Sequence, residues 1–216
     1  MSRLYDAGRL PQPLGGIPKR VFDVVGASIV LVLLAPIMLM AAVLVRVSMG
    51  GPAIFAHKRV GFGGRTFVCY KFRTMLVDGE AVLRRHLAAD ADAAEEWRKT
   101  RKLRNDPRVG CLGNILRKSS LHELPQLINV LRGDMSLVGP RPVVPEEIEH
   151  YGRHAQACFR ARPGLTGLWR VSGRNRAGYA ARIARDLCYA HRWSLWLDLA
   201  LLIKTIPAVM SFDQTS

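Results

Sequence analysis

The densest chemistry in the chain lies in residues 116–142, LRKSSLHELPQLINVLRGDMSLVGPRP. An imidazole and a carboxylate, His122 and Glu123, stand side by side, and Arg141 is held between Pro140 and Pro142. A guanidinium on a loop stiffened by two prolines suits two-point contact with a phosphate. Arg117 and Lys118 add charge near an expected helix N-terminus, itself a favourable place for phosphate. Lys71 and Arg73 alternate along an extended run and so share a face. Together Lys71, Arg73, Arg117 and Arg141 can surround a pyrophosphate, with Glu123 holding a divalent ion. Each residue also has a plainer reading. Glu123 follows Ser120 at the spacing of a capping box, in which its carboxylate bonds back to the backbone. His122 alone reads as a surface histidine, and Lys71 and Arg73 as solvated charge.

The elements that must position these residues are legible around them. Ser120 and Glu123 at one end and Gly133 at the other predict a helix from Leu121 to about Leu131. Its spacing turns Leu121, Leu124, Ile128 and Leu131 toward the core and His122, Glu123, Gln126 and Asn129 to the polar side. Between Ile54 and Met75, two extended runs flank Gly61-Phe62-Gly63-Gly64 and predict a hairpin with a glycine-rich turn. Residues 78–103 read as amphipathic surface helices without chemistry. Pro145-Glu146-Glu147 opens another helix, and Leu165 to Val171 suits a strand. The apolar stretch from Trp193 to Met210 carries tryptophans that suit a membrane interface or the protein core.

The formal charge of +15 calls for an anionic partner: nucleic acid, acidic lipid or a phosphorylated small molecule. Nucleic acid is disfavoured by the lack of aromatic reading motifs and by an uncharged run from Val24 to Val45. That run is long enough to enter a bilayer. Pro36 near its centre favours a kink, and basic residues on both flanks favour keeping both ends cytoplasmic. A re-entrant membrane helix hairpin is therefore expected ahead of a straight span, a cleaved signal or a buried soluble helix. Cys69, Cys111, Cys158 and Cys188 form no CxxC pair and read as reduced, buried thiols, with neither zinc nor redox chemistry. The expected architecture is mixed α+β: a flexible arm over 1–18, the re-entrant helix over 19–50, and a compact cytosolic domain over 51–216 with a small sheet and amphipathic interfacial helices.

From about Ile17 to Pro207 the chain resembles the bacterial sugar transferases, small monotopic membrane phosphoglycosyl transferases. The residues that carry the resemblance are Lys19-Arg20-Val21-Phe22-Asp23, the apolar run with Pro36, Arg59-Val60-Gly61, Lys71-Phe72-Arg73-Thr74-Met75, Asn105-Asp106-Pro107-Arg108-Val109, Glu123-Leu124-Pro125-Gln126-Leu127, the run from Gly133 to Pro142 and the run from Arg162 to Trp169. The pattern looks most like the galactosyl-1-phosphate transferases that initiate exopolysaccharide. The resemblance implies transfer of a sugar 1-phosphate from a UDP-sugar to undecaprenyl phosphate with release of UMP. It implies work at the cytoplasmic face of the bacterial inner membrane, with membrane lipid and downstream glycosyltransferases as partners. It also implies an Asp–Glu pair with Mg2+, in which the Asp carries the phosphosugar and the Glu, here Glu123, is associated with the metal. Lys71, Arg117 and Arg141 fall at positions tied to phosphate or nucleotide.

Two positions depart from that pattern. His122 stands where the family has the nucleophilic Asp, and Arg170 where Gln is usual. Imidazole is a competent phosphoryl acceptor. Its nitrogen sits differently from a carboxylate oxygen, however, and about 1 Å of misplacement costs on the order of a hundredfold in rate. Impaired transfer by the usual route is therefore expected. The alternative reading is an inactive member that acts as a membrane-binding or regulatory protein; an inactivating change in an ordinary enzyme is a third.

Overall fold

The computed structural model describes residues 12–100, 103, 105–172 and 178–210. Helix α1, Gly16–Met49, runs unbroken with Pro36 inside it. It starts within the expected 1–18 arm, whose residues 1–11 lie outside the described residues. The run expected to enter the bilayer is helical on both sides of Pro36. A proline removes a single backbone donor, whereas a helix satisfies every other polar backbone group within the apolar run.

Both ends of α1 pack on the rest of the molecule. Ala27, near the start, is buried with Leu127, Val130 and Leu137, while Ala41, Val45 and Met49, near the end, pack with Phe72 and Leu116. Between them much of the helix is exposed, Val32 by 74% and Leu33 by 70%. Helix α1 is long and apolar enough to cross a membrane.

Strands β1 (Ile54–Val60) and β2 (Thr66–Phe72) form the expected antiparallel hairpin, with Val60 opposite Thr66 and a 3-10 turn over Phe62–Gly64. Helices α2 (Gly79–Ala89), α3 (Ala91–Thr100) and α4 (Cys111–Lys118) follow, then α5 (Gln126–Arg132). A second small sheet pairs β3 (Ser136–Val138) in parallel with β4 (Gly164–Thr166), bracketing the short helices α6 (Ile148–Tyr151) and α7 (Ala155–Cys158). The strand expected over Leu165 to Val171 is shorter, because α8 (Leu168–Val171) starts after Gly167. Helices α9 (Tyr179–Arg192) and α10 (Leu195–Met210) complete the described chain, a mixed α+β fold.

Two sets of polar contacts, the first of them buried, set the frame. Lys19 Nζ donates to Asp198 Oδ2 at 2.6 Å, tying α1 to α10. Arg20 donates to the carbonyls of Val130 and Leu131 at 2.5 and 2.7 Å, so a cation closes the C-terminal end of α5. Cys69 and Cys158 are buried, whereas Cys111 and Cys188 are exposed, contrary to the expectation that all are inside. Cys111 stands at the exposed start of the amphipathic α4.

Candidate active site

The helix expected from Leu121 is broken in two. Ser120 has φ 59°, the left-handed region, and its side chain makes no capping bond. A 3-10 turn covers Leu121–Glu123, and α5 begins only after Pro125, which has no N–H to donate. The capping box is therefore not formed, since an N-cap residue needs extended backbone. The buried positions change as well. Gln126, Leu127, Asn129 and Val130 are buried, while Ile128 is 41% exposed. Helix α5 is covered by both α1 and β2, so a polar side chain can be buried on it by serving the sheet. Asn129 does so, donating to the Val68 carbonyl at 2.7 Å and accepting from the Tyr70 N–H at 3.0 Å.

Freed from capping, the Glu123 carboxylate meets cations. Its Oε1 lies 3.5 Å from Lys71 Nζ, and its Oε2 pairs with Arg170 Nη2. Arg170 is 6% exposed, held on α8 with its guanidinium 5.1 Å from the Trp169 ring centre. The Arg141 guanidinium lies 5.2 Å from the same ring. Both contacts are cation–π in geometry.

His122 lies partly buried beside this pair, its Nε2 3.9 Å from Glu123 Oε1. Its Nδ1 is 3.0 Å from the Leu116 carbonyl, which can only accept, so Nδ1 carries the proton and Nε2 the lone pair. Burial, with Lys71, Arg117 and Arg170 nearby, pulls the imidazole down to about 3, against the Leu116 bond that favours the charged form; the ring is neutral at physiological pH. Burial likewise holds Lys71 down at about 8, with Arg59, Arg141 and Arg170 adding to the effect and Cys69 opposing it. Arg59 and Arg141 are lowered too, mainly by burial.

The four cations expected to ring one pyrophosphate divide instead into two sets that meet at Lys71. On one side a small cleft is lined by Arg59, Lys71, Glu123, Gln126, Arg141 and Trp169. On the other, a cavity of about 520 Å³ has Lys71, Arg73, Arg108, Arg117 and His122 in its wall. The division follows from the supports. Arg141 is carried by the loop after β3, which is fixed by the Val60–Val143 bridge and by an approach of bare backbone, since a Cβ on Gly164 would lie 2.1 Å from the Gly139 nitrogen. Arg117 sits on α4, drawn against the chain after β2 because Gly113 leaves room for the Thr74 carbonyl; its Nε donates to Thr74 Oγ1 at 3.0 Å. Arg73 bonds the Pro52 carbonyl from Nε at 2.9 Å.

Arg59, Arg108 and Trp169 were not singled out for a role by sequence reasoning, although each belongs to a motif quoted above. Arg170 stood out only as a departure, and its place against Glu123 is a tertiary fact. The Mg2+ implied by the resemblance finds a poor set of donors here. Glu123 has both oxygens facing cations, the neighbouring His122 adds no charge, and no group of three or more His, Cys, Asp and Glu side chains suited to a metal occurs among the described residues. These residues do not fit a divalent ion.

Comparison with known proteins fits this arrangement into a family. The sequence model of the family described as bacterial sugar transferase matches residues 15–212. The chain is 53% identical over 198 residues to an exopolysaccharide production protein, ExoY, of Rhizobium meliloti, covering 92% of this chain and 88% of that one. It is 41% identical over 220 residues to the UDP-glucose:undecaprenyl-phosphate glucose-1-phosphate transferase of Caulobacter vibrioides, covering 97% and 76%. It is 48% identical over 195 residues to the undecaprenyl-phosphate galactose phosphotransferase of Salmonella typhimurium, covering 90% of this chain and 41% of that longer one. With a match spanning nearly its whole length, the chain belongs to the bacterial sugar transferase family.

Proposed function

We propose that the protein transfers a sugar 1-phosphate, galactose 1-phosphate by preference, from a UDP-sugar to undecaprenyl phosphate at the cytoplasmic face of the bacterial inner membrane, releasing UMP and beginning exopolysaccharide synthesis. The observation that carries this reading is the cluster of Lys71, Arg59, Arg141 and Arg170 around a single carboxylate and a neutral imidazole. Positive charge in excess, partly withdrawn from water, is suited to a phosphate that gathers negative charge as it reacts. The cavity beside His122 has the volume for a nucleotide sugar. The preference for galactose rests on the Salmonella relative, which is more similar than the glucose-named one.

His122 supplies the acceptor atom. The Nε2 lone pair attacks the sugar-bearing phosphorus, an N–P bond forms as the P–O bond to UMP breaks, and an oxygen of undecaprenyl phosphate then takes the phosphosugar and frees Nε2. Imidazole geometry makes this slow.

Helix α1 is the membrane element, re-entrant in our reading. Both of its ends pack on the same body of protein, so they belong on one side of a bilayer, and its bare middle contains Pro36. Trp196 and Ile206 on α10, 79% and 62% exposed, extend the apolar surface.

Inverted membrane vesicles with UDP-galactose and undecaprenyl phosphate are expected to release UMP slowly, with Lys58 labelled from the same outward face. His122→Ala should abolish release and His122→Asp should raise it by about tenfold or more. Absence of release from both the wild-type chain and His122→Asp would sink the transferase reading. Release only from right-side-out vesicles would reverse the orientation.

A further inference from the structure

Resting on that reading, the same site yields a statement about how it meets its substrate. The acidic side of the cluster is a single group. Glu123 is 16% exposed in its side chain and faces Lys71 through one oxygen and Arg170 through the other. His122, beside it, has one nitrogen committed to the Leu116 carbonyl and contributes no negative charge. The basic side is larger. Lys71, Arg59 and Arg141 line one cleft with Glu123, and Arg170 pairs with Glu123 from α8.

A dication entering here would displace a guanidinium that is itself buried, and would face the remaining cations with one carboxylate to hold it. Buried charges of like sign repel strongly where water screens them little. Arg170 already does for Glu123 what a divalent ion would do: it holds the carboxylate's charge and turns the surplus of positive charge toward the cleft. Its guanidinium stands between the Trp169 ring and the Glu123 carboxylate, and the turn that carries it is fixed by the Arg170 backbone N–H donating to the Gly167 carbonyl at 2.9 Å. A planar, always-charged group fixed in this way keeps the carboxylate neutralised and leaves Lys71 and Arg141 free to face a phosphate.

We propose that Arg170 stands in place of a divalent cation, so that this site neutralises the pyrophosphate of a nucleoside diphosphate sugar with fixed side-chain cations alone and takes up no Mg2+ of its own. Arg170 is on this view a positioning residue that acts through Glu123, while Lys71 and Arg141, which line the cleft, meet the diphosphate.

The test is binding rather than turnover. UDP is titrated by calorimetry into the full chain in nanodiscs, once with Mg2+ and once with EDTA, and Mn2+ binding to the chain without nucleotide is followed by electron paramagnetic resonance. The wild-type chain is expected to bind UDP with a Kd that agrees within about twofold between the two buffers, and to bind no Mn2+ at this site. Arg170→Gln should weaken UDP binding in EDTA by about tenfold or more, and Arg170→Lys by less. The double variant His122→Asp with Arg170→Gln should gain Mn2+ binding and require Mg2+ for tight UDP binding. A loss of about tenfold or more in wild-type affinity on adding EDTA, or Mn2+ bound by the wild-type chain and lost in Glu123→Gln, overturns the proposal while leaving the transferase reading intact. No UDP binding in either buffer would take down both. The wild-type measurements decide the matter even if a variant fails to fold.

Discussion

Two clusters of buried charge in this molecule are built on opposite plans. Where α1 meets α10, Asp198 is fully buried and both of its oxygens are matched: Oδ2 by Lys19 at 2.6 Å and Trp193 Nε1 at 3.0 Å, Oδ1 by the Tyr189 hydroxyl at 2.7 Å. Asp23 nearby accepts at Oδ1 from Ser136 Oγ and from the Leu137 N–H. Asp198 is fully matched there, whereas Asp23 Oδ2 has no hydrogen-bond partner among the described residues, and the cluster holds elements together. Around Glu123 the balance is broken in favour of cations, and the imbalance opens onto a cleft and a cavity. A buried charge matched by its neighbours supports a fold; one left in surplus is a standing invitation to a ligand.

The sharpest way to break that contrast is at the balanced cluster. Asp198→Ala takes from the buried Lys19 ammonium its close partner and leaves only Asp23 at 4.0 Å, and the expected cost is about 3 kcal/mol, seen as a large fall in the detergent-solubilised unfolding temperature or as loss of folded protein. A smaller effect of opposite sign is expected at the other cluster. Lys71→Met removes a cation crowded by Arg59, Arg141 and Arg170, so stability should hold or rise by about 1 kcal/mol while UDP binding falls by about tenfold. A Lys71→Met variant that both melts early and keeps UDP would show that the two clusters do not differ as described.

The smallest expected effect concerns Asp186, which accepts from the Arg141 N–H at 3.4 Å and the Tyr151 hydroxyl at 2.8 Å. Burial lifts it to about 6 despite those bonds. The folded chain therefore holds more protons than the unfolded chain between about pH 4 and 6, and this group's contribution to stability is lost as pH rises through that window. The unfolding temperature measured across it should decline, and Asp186→Asn should flatten the slope. An unchanged slope in the variant would assign the dependence elsewhere.

Much of the site could be read in order along the chain, because its pieces are short and locally specified. The Gly61–Gly64 turn between alternating runs predicts the hairpin that carries Lys71. The prolines around Arg141 predict its stiff loop, and the apolar run with Pro36 predicts a helix of membrane length. The reading from Ser120 to Leu131 went astray for a physical reason. A capping box and a 3-4-3 spacing are local signals, and they were overridden by the left-handed Ser120, by Pro125, and by covering α5 on two sides. Asn129 looked polar and outward, and is buried as a bonding partner for β2.

What the amino-acid sequence determined by itself is therefore the family, the helix long enough for a membrane, the hairpin and the basic residues that line the cleft and the cavity, all of which follow from motifs and from residue types at close spacing. Only the tertiary structure decided the partner of Glu123. Arg170 is remote from it along the chain, on a one-turn helix after a strand pairing that the sequence does not announce, and electrostatic pairing depends on distance through space. Two residues that look independent in the sequence, His122 and Arg170, are thereby brought to one carboxylate.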